Sequence, residues 1–207
     1  INYISYENFN AASCEIIVNG KSIHPGDAKN KMVNSIQVAM EFNALLPVNQ
    51  RPEYTEGYEG FYHLSNIEGG VENTKLSYII RNHNKELFEK QKALVLEIAN
   101  FLNSKYGYKV IDVNLTDSYY NMKELVQKEP KILEFAIKAL KENGLEPKFE
   151  AIRGGTDGAR LSYEGILTPN LGTGGENFHG PYEYLDVTDM NKMIDIVTSL
   201  LKIISEE

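Results

Sequence analysis

The sequence predicts an α/β (α+β) protein made of a ferredoxin-like βαββαβ unit followed by a second, incomplete α/β part. The prediction rests on the order of segments in which apolar residues alternate or recur at helical spacing. Over residues 9–116 this order is strand–helix–strand–strand–helix–strand, the split βαβ pattern. Over residues 117–207 it is helix–strand–helix–strand–helix, with only two strands.

The elements of the first part are marked by short turn and stop signals. "ASCEIIV" at 12–18 is predicted to be a strand that ends in a turn at Asn19–Gly20. Helical spacing covers Met32–Leu46, and Pro47 stops that helix. A turn is expected at 68–70. The remaining predictions are strands at 58–67, 75–82 and 108–115 and a helix at 84–104.

The second part lacks the strands that its helices would need to cover. Its predicted elements are a helix at 130–143, strands at 148–153 and 166–171, a short helix after a Gly-rich turn, and a helix at 188–204 with Thr188 as its N-cap. Two parallel strands flanked by helices leave open edges, whereas parallel sheets are normally buried. Residues 117–207 are therefore interpreted as the edge of a larger α/β sheet whose other strands are absent.

Composition excludes several classes of function. The net charge of −8 argues against a nucleic-acid or anionic-membrane partner, because both require clustered Lys and Arg. No apolar run is long enough for a membrane span. The single cysteine, Cys14, permits no disulfide within the chain and fits a reducing, cytoplasmic setting.

Four histidines are the main candidates for chemistry. His179 lies in the Gly-rich stretch "GGENFHGPYEYL" and is either a loop histidine bonded to backbone or a metal ligand. It cannot hold zinc alone, since a catalytic zinc needs about three protein ligands. His24, in "IHPGDAK", is either a turn histidine or a functional group. His63 is expected to be structural and His83 to be solvated.

Two arginines are candidates for anion binding. Arg153 ends a predicted strand and precedes a Gly turn into a helix, where free N–H groups and a guanidinium together suit a phosphate or carboxylate. The alternative is a structural ion pair. Arg81 lies on the strand face opposite Tyr78 and Ile80, either as an exposed sheet arginine or as a second substrate clamp. The glycines match neither GxGxxG nor a P-loop, so a nucleotide site is poorly supported.

A set of longer motifs runs through the whole chain in one order. They are "YENFNAAS", "IHPGDAKNKMVN", "TEGYEGFYHL", "YIIRNHN", "DSYYNM", "IRGGTDGARLS", "PNLGTGG" and "FHGPYEYL". In these motifs the chain resembles the peptidase T group of bacterial tripeptide aminopeptidases. That group belongs to the co-catalytic zinc peptidases, the family that includes carboxypeptidase G.

The resemblance implies a domain organisation. In that family a catalytic α/β domain is interrupted by a ferredoxin-like lid and dimerisation domain. Residues 1–8 would be the tail end of a catalytic-domain segment or hinge, 9–116 the lid, and 117–207 the C-terminal part of the catalytic domain. The bridging aspartate, most other ligands of the two zinc ions and the general-base glutamate would lie outside this chain. We therefore expect the chain alone to be inactive, with little or no zinc.

The resemblance also implies roles for particular residues. His179 matches a zinc ligand, and His24 matches a lid histidine that stabilises the oxyanion in another subunit's active site. Arg81 and Arg153 match residues that hold the carboxylate of a short peptide, and Asn121 is a weaker candidate for substrate contact. The implied protein is a cytoplasmic homodimer paired through the lid. The alternative is a non-catalytic dimerisation or small-anion-binding module.

Overall fold

The chain folds into nine strands and six α-helices, and the computed structural model describes all residues from Ile1 to Glu207. Its contacts divide it into a βαββαβ unit, Phe9–Tyr120, and a terminal unit formed by Ile1–Asn8 with Asn121–Glu207. The elements are β1 (Tyr3–Ser5), β2 (Asn10–Asn19), α1 (Ser35–Leu45), β3 (Phe61–Gly69), β4 (Asn73–Asn82), α2 (Lys85–Tyr106), β5 (Ile111–Tyr119), α3 (Lys123–Val126), α4 (Lys131–Glu142), β6 (Lys148–Phe149), α5 (Asp157–Tyr163), β7 (Asn170–Leu171), β8 (Gly175–Glu176), β9 (Tyr184–Leu185) and α6 (Val187–Ser205).

The βαββαβ unit is a four-stranded antiparallel sheet in the order β3-β4-β2-β5. This is the ferredoxin-like arrangement, so the predicted fold class is confirmed. Strand β2 is central and pairs with β4 over its whole length, from Asn10 opposite Asn82 to Asn19 opposite Asn73. Its other edge pairs with β5.

Helices α1 and α2 pack on one face of this sheet. Alternate residues of β2 and β4 point to that face and are fully buried, including Ile16, Leu76 and Ile80. Phe42 of α1 and Phe88 of α2 fill the space above them. The burial of these large apolar side chains is the main source of the stability of the unit.

Helix boundaries in this unit follow side-chain caps more closely than apolar spacing. Helix α1 begins at Ser35 rather than at residue 32, because the Asn34 side chain accepts a hydrogen bond from the Ile36 amide and ends the preceding loop. Asn84 caps α2 through the Leu87 amide. Gly107 ends α2 with a left-handed backbone, as its position predicts.

The terminal unit contains a small sheet in the order β6-β1-β7. Its central strand, β1, was not predicted from the sequence. The prediction of two parallel strands is wrong, because β6 pairs with β1 in parallel and β7 pairs with β1 antiparallel. The predicted strands at 148–153 and 166–171 shrink to two residues each, Lys148–Phe149 and Asn170–Leu171.

Helices α4 and α6 pack against each other and against β1, with Ile4, Leu140 and Ile196 at the centre. The N-cap of α6 is Asp186, so the prediction of Thr188 as the cap is wrong. The Asp186 carboxylate accepts hydrogen bonds from the amides of Thr188 and Asp189, which lower its pKa.

One side of α6 carries a row of exposed apolar side chains. They recur every three or four residues and are between 40% and 65% exposed: Val187, Met190, Ile194, Val197, Leu201 and Ile204. Such spacing is typical of a helix face that packs against another element. None of the helices combines the length and apolar character that crossing a bilayer requires.

Gly20 is a point at which three backbone segments meet. A Cβ atom there would lie 2.3 Å from the Val71 carbonyl oxygen and 2.6 Å from that of Val33. We expect Gly20→Ala to lower the free energy of unfolding by roughly 1–3 kcal/mol, because backbone atoms cannot move aside easily. Gly70→Ala is the matched control, since a methyl group at that position would have no atom within 4 Å. Equal urea midpoints for the two variants would contradict this account.

Candidate functional site

The loop that carries His24 is closed by backbone pairing just beyond β2. The Lys21 amide donates to the Val33 carbonyl at 2.7 Å, and the Val33 amide donates to the Lys21 carbonyl at 3.0 Å. Within this closed loop a single helical turn runs from Pro25 to Asp27. His24 is the N-cap of that turn and its side chain is exposed.

The cap fixes which imidazole nitrogen can act on a ligand. Nδ1 of His24 accepts a hydrogen bond from the Gly26 amide at 3.1 Å. In the neutral ring the proton is therefore on Nε2, which leaves a donor on the exposed edge. A Cβ on Gly26 would lie 3.2 Å from Nδ1, so glycine at this position allows the close approach. The arrangement can present one N–H group to a developing negative charge.

Arg81 lies at the other end of the sheet, on the face opposite the helices. Its side chain is half-buried rather than exposed, and its Nη1 donates to the carbonyls of Ile80 at 3.0 Å and Ala12 at 3.3 Å. The guanidinium also lies 5.3 Å from the ring centre of Tyr119. Burial lowers the pKa of Arg81, although an arginine stays charged at neutral pH.

The contact between Arg81 and Tyr119 depends on a β-bulge. Ala12 pairs with Asp117, but Ala11 pairs with Tyr119, so that Ser118 is the extra residue on β5. The bulge turns Tyr119 to the face that Arg81 occupies. Ala11 lies opposite both residues and its small side chain leaves room for them. The sequence analysis missed Tyr119, since no local pattern marks a bulge.

Asn8 connects the segments that carry Asn121 and Arg153 in the terminal unit. The Asn121 side-chain oxygen accepts from the amides of Asn8 at 3.2 Å and Lys123 at 3.0 Å, while Asn8 Oδ1 accepts from the Met122 amide at 2.9 Å. Asn8 also forms a parallel bridge with Ile152, the residue before Arg153. The oxygen of Asn121 therefore has a structural role, and the segment before Arg153 is paired with Asn8.

The turn after Arg153 leads into α5, as the sequence predicts. Thr156 is the N-cap of this helix, and its hydroxyl accepts from the Ala159 amide at 3.1 Å. One of the N–H groups that an anion could use is thus already bonded. Arg153 itself is half-buried, and its role in binding stays a prediction.

His179 lies at the tip of the β8–β9 hairpin and is exposed. Its φ of 64° and that of Asn177 at 57° fall in the left-handed region, which costs free energy for residues other than glycine. Hydrogen bonds maintain this conformation. The Glu183 carboxylate accepts from the His179 amide at 3.1 Å, and Asn177 Nδ2 donates to the Tyr182 carbonyl at 3.2 Å.

Gly174 and Gly175, before His179, allow neighbouring side chains to approach the backbone closely. Gly174 has a φ of 77°, and a Cβ there would lie 2.5 Å from Asp189 at the start of α6. A Cβ on Gly175 would lie 2.8 Å from the ring of Phe178. The loop is therefore a defined turn that presents the imidazole of His179 to its exterior.

The side chains of this chain do not form a complete metal site. No group of three or more His, Cys, Asp or Glu residues is placed so that it could hold one ion. His179 can supply one imidazole ligand.

The other two histidines differ in their surroundings. His63 is exposed on β3. His83 was predicted to be solvated, which is wrong, since only 7% of it is exposed and its ring packs against Phe9 and Tyr58. The buried start of β2 covers it, a tertiary contact that its polar neighbours in sequence do not reveal.

Comparisons with known proteins agree with this architecture. The family described as "Peptidase dimerisation domain" matches residues 6–109. A protein named peptidase T from Clostridium perfringens is 53% identical over 207 residues, which is 100% of this chain and 51% of that protein. The chain thus spans about half the length of the curated relatives it matches. The resemblance predicted from the motifs is confirmed.

Two solved structures share the fold over the whole chain. A tripeptidase from Staphylococcus aureus has a TM-score of 0.85 at 19% identity, and the match covers 100% of this chain and 55% of that one. A Bacillus subtilis protein described as a dinuclear metal-binding peptidase of the M20 family has a TM-score of 0.66 at 18% identity, covering 100% and 54%.

The cap on His24 predicts its tautomer. In a long-range ¹H–¹⁵N spectrum of the chain above pH 8, we expect His24 to show the Nε2–H form, because Nδ1 accepts the Gly26 amide. Gly26→Ala is expected to shift this ring toward a mixture of tautomers, while exposed His63 keeps its spectrum. A His24 ring that is mainly Nδ1–H in the unsubstituted chain would overturn the assignment.

Proposed function

Because the chain belongs to the family of the peptidase dimerisation domain, we propose that it is part of a zinc tripeptide aminopeptidase. In this proposal Phe9–Tyr120 is the lid and dimerisation domain, and the terminal unit is the C-terminal portion of the catalytic domain. The complete protein releases the N-terminal residue of tripeptides in the cytoplasm. The names of the C. perfringens and S. aureus proteins support the substrate class.

The separation of His24 from Arg81 is the observation that carries the proposal. The His24 loop follows one end of β2, whereas Arg81 pairs with Ala11 at the other end. Strand β2 has ten residues, which corresponds to roughly 30 Å at about 3.3 Å per residue. One copy of the unit cannot place both groups on one tripeptide. A homodimer resolves this difficulty, because His24 of one copy then serves the site of the other.

The residues of this chain bind and orient the substrate. His24 donates from Nε2 to the oxygen that becomes negative as the peptide carbonyl is attacked, an interaction that strengthens in the transition state. Arg81 binds the free carboxylate of the substrate through its guanidinium. Hydrogen bonds from Nη1 to two backbone carbonyls hold this guanidinium in place. Arg153 and Asn121, in the terminal unit, contribute further contacts to the substrate.

The metal centre in this proposal is completed by ligands outside the chain. His179 would contribute one imidazole, and an aspartate ligand and the general-base glutamate would come from the remainder of the longer protein. Zinc, when bound, lowers the pKa of its water so that hydroxide is available near neutral pH. The B. subtilis structure is described as dinuclear, which supports two ions for each site.

The exposed row of α6 supports a longer protein. Its apolar residues, such as Ile194 and Leu201, are 60% and 64% exposed, and the sheet β6-β1-β7 has only two-residue strands at its edges. The relatives contain about as much chain again as the part matched here. We infer that this additional segment packs on α6 and extends the small sheet.

The zinc content of the isolated chain tests the proposal that ligands outside this chain complete the metal centre. After dialysis we expect less than roughly 0.1 zinc per chain by elemental analysis, because stable zinc sites use about three protein ligands. His179→Ala serves as the control and is expected to give the same low value. One or two tightly held ions in the unsubstituted chain, lost on His179→Ala, would show that the other ligands lie within this chain.

Activity is best tested in a chimera in which this chain replaces the matching half of the C. perfringens protein. We expect hydrolysis of tripeptides. His24→Ala should keep zinc and reduce kcat by roughly 10²–10³, as for removal of one oxyanion donor. Ser22→Ala, an exposed position on the same loop, should leave kcat unchanged. A folded, zinc-loaded chimera without peptidase activity, or an unchanged kcat for His24→Ala, would contradict the proposal.

A further inference from the structure

A cavity of about 210 Å³ lies in the βαββαβ unit, and neither His24 nor Arg81 lines it. It is formed where the segment after α1 passes over β3 and β4, and the polar groups that line it are Asn43, Arg51, Glu53, His63 and Tyr78. We propose that this cavity binds a small oxyanion, a carboxylate or a phosphate group, through Arg51 and Asn43. No motif in the sequence marks this site.

Arg51 supplies the charge. Its side chain is half-buried and forms no ion pair or hydrogen bond with another side chain, although the protein has an excess of carboxylates. By contrast, Arg160 bonds to Glu164 at 3.1 Å. A guanidinium kept in a cavity without a carboxylate partner suits an external oxyanion, which it can bind in a bidentate manner.

Asn43 is oriented so that its amide hydrogens can reach the same ligand. Tyr78 OH donates to Asn43 Oδ1 at 3.0 Å. This bond fixes the carbonyl end of the amide and leaves Nδ2 as the donor. Tyr78 is only 4% exposed, so the bond is well protected from water. Asn43 Nδ2 makes no hydrogen bond to the protein, which agrees with a donor role toward a ligand.

The walls of the cavity strengthen the attraction. Leu46 and Tyr62 are buried, and Pro47, Pro52 and Leu64 complete an apolar lining. Charges interact more strongly beside such a surface than in bulk water. Burial raises the pKa of Tyr78, and the positive charge of Arg51 opposes this increase.

Two sources of negative charge near the cavity make the binding of an anion depend on Arg51. Glu53 is exposed at the rim, and the last carbonyls of α1 contribute partial negative charge near Leu46. Without Arg51 the cavity would repel an anion. The size of the cavity, several times the roughly 30 Å³ that one water occupies, fits a single phosphate or a short carboxylic acid.

The test is a titration of the ¹⁵N-labelled chain with inorganic phosphate and, separately, with acetate, at constant ionic strength. We expect saturable shifts of the amides of Arg51, Glu53 and Leu64 with at least one of the two anions. Saturation by phosphate alone or by acetate alone identifies which source of oxyanion the site prefers. Absence of saturation with both would overturn the proposal.

Matched variants distinguish this site from general charge effects. Arg51→Gln is expected to weaken binding about tenfold or more, because it removes a charged hydrogen-bond donor. Arg160→Gln removes an arginine that is exposed and already paired, and should change the affinity by less than about twofold. If Arg51→Gln does not fold, Arg51→Lys keeps the charge without the fork and should weaken binding severalfold. Equal affinity in the Arg51 and Arg160 variants would also overturn the proposal.

Discussion

The pairing of β2 with strands on both of its edges is the constraint on which the βαββαβ unit depends. Because β2 lies between β4 and β5 over its length, its register decides which residues share a face at each end. At one end it sets Ala11 beside Arg81 and Tyr119. At the other it ends just before Gly20, where a side chain would collide with backbone and where the His24 loop begins. A slip of one residue would exchange the two faces and remove both features.

Backbone geometry has a comparable effect at the two histidines. His24 is held through a cap on a single helical turn, and His179 through a left-handed residue in a hairpin. In each case a main-chain amide is bonded to a side chain, Gly26 to His24 and His179 to Glu183. The two histidines differ in which imidazole nitrogens remain available to a ligand. The cap uses Nδ1 of His24 as an acceptor and so places the proton of the neutral ring on Nε2. At His179 the hydrogen bond to Glu183 involves the backbone amide and not the imidazole ring.

Sequence patterns predicted the long elements well because their signals are local. The four strands and two helices of the βαββαβ unit each contain enough alternating or helical apolar residues to be recognised, and the face of Arg81 follows from the alternation of β4. Features that depend on contacts between residues far apart in the sequence were not predicted. Strand β1 has three residues, too few for a pattern, and becomes a strand only through β6 and β7. The bulge at Ser118 and the burial of His83 likewise depend on neighbours far along the chain.

Both units keep large apolar side chains exposed, and in the terminal unit these side chains form a row along α6. In the βαββαβ unit both helices and the sheet share one core, although large apolar side chains such as Met40 and Phe101 stay exposed. In the terminal unit, α6 buries Ile196 and Ile203 against α4 and β1, yet a second apolar row on the same helix stays exposed. A helix with two apolar faces lies between two layers in a complete α/β domain. In the terminal unit the second apolar row of α6, which includes Ile194 and Leu201, therefore lies on a face that is largely exposed.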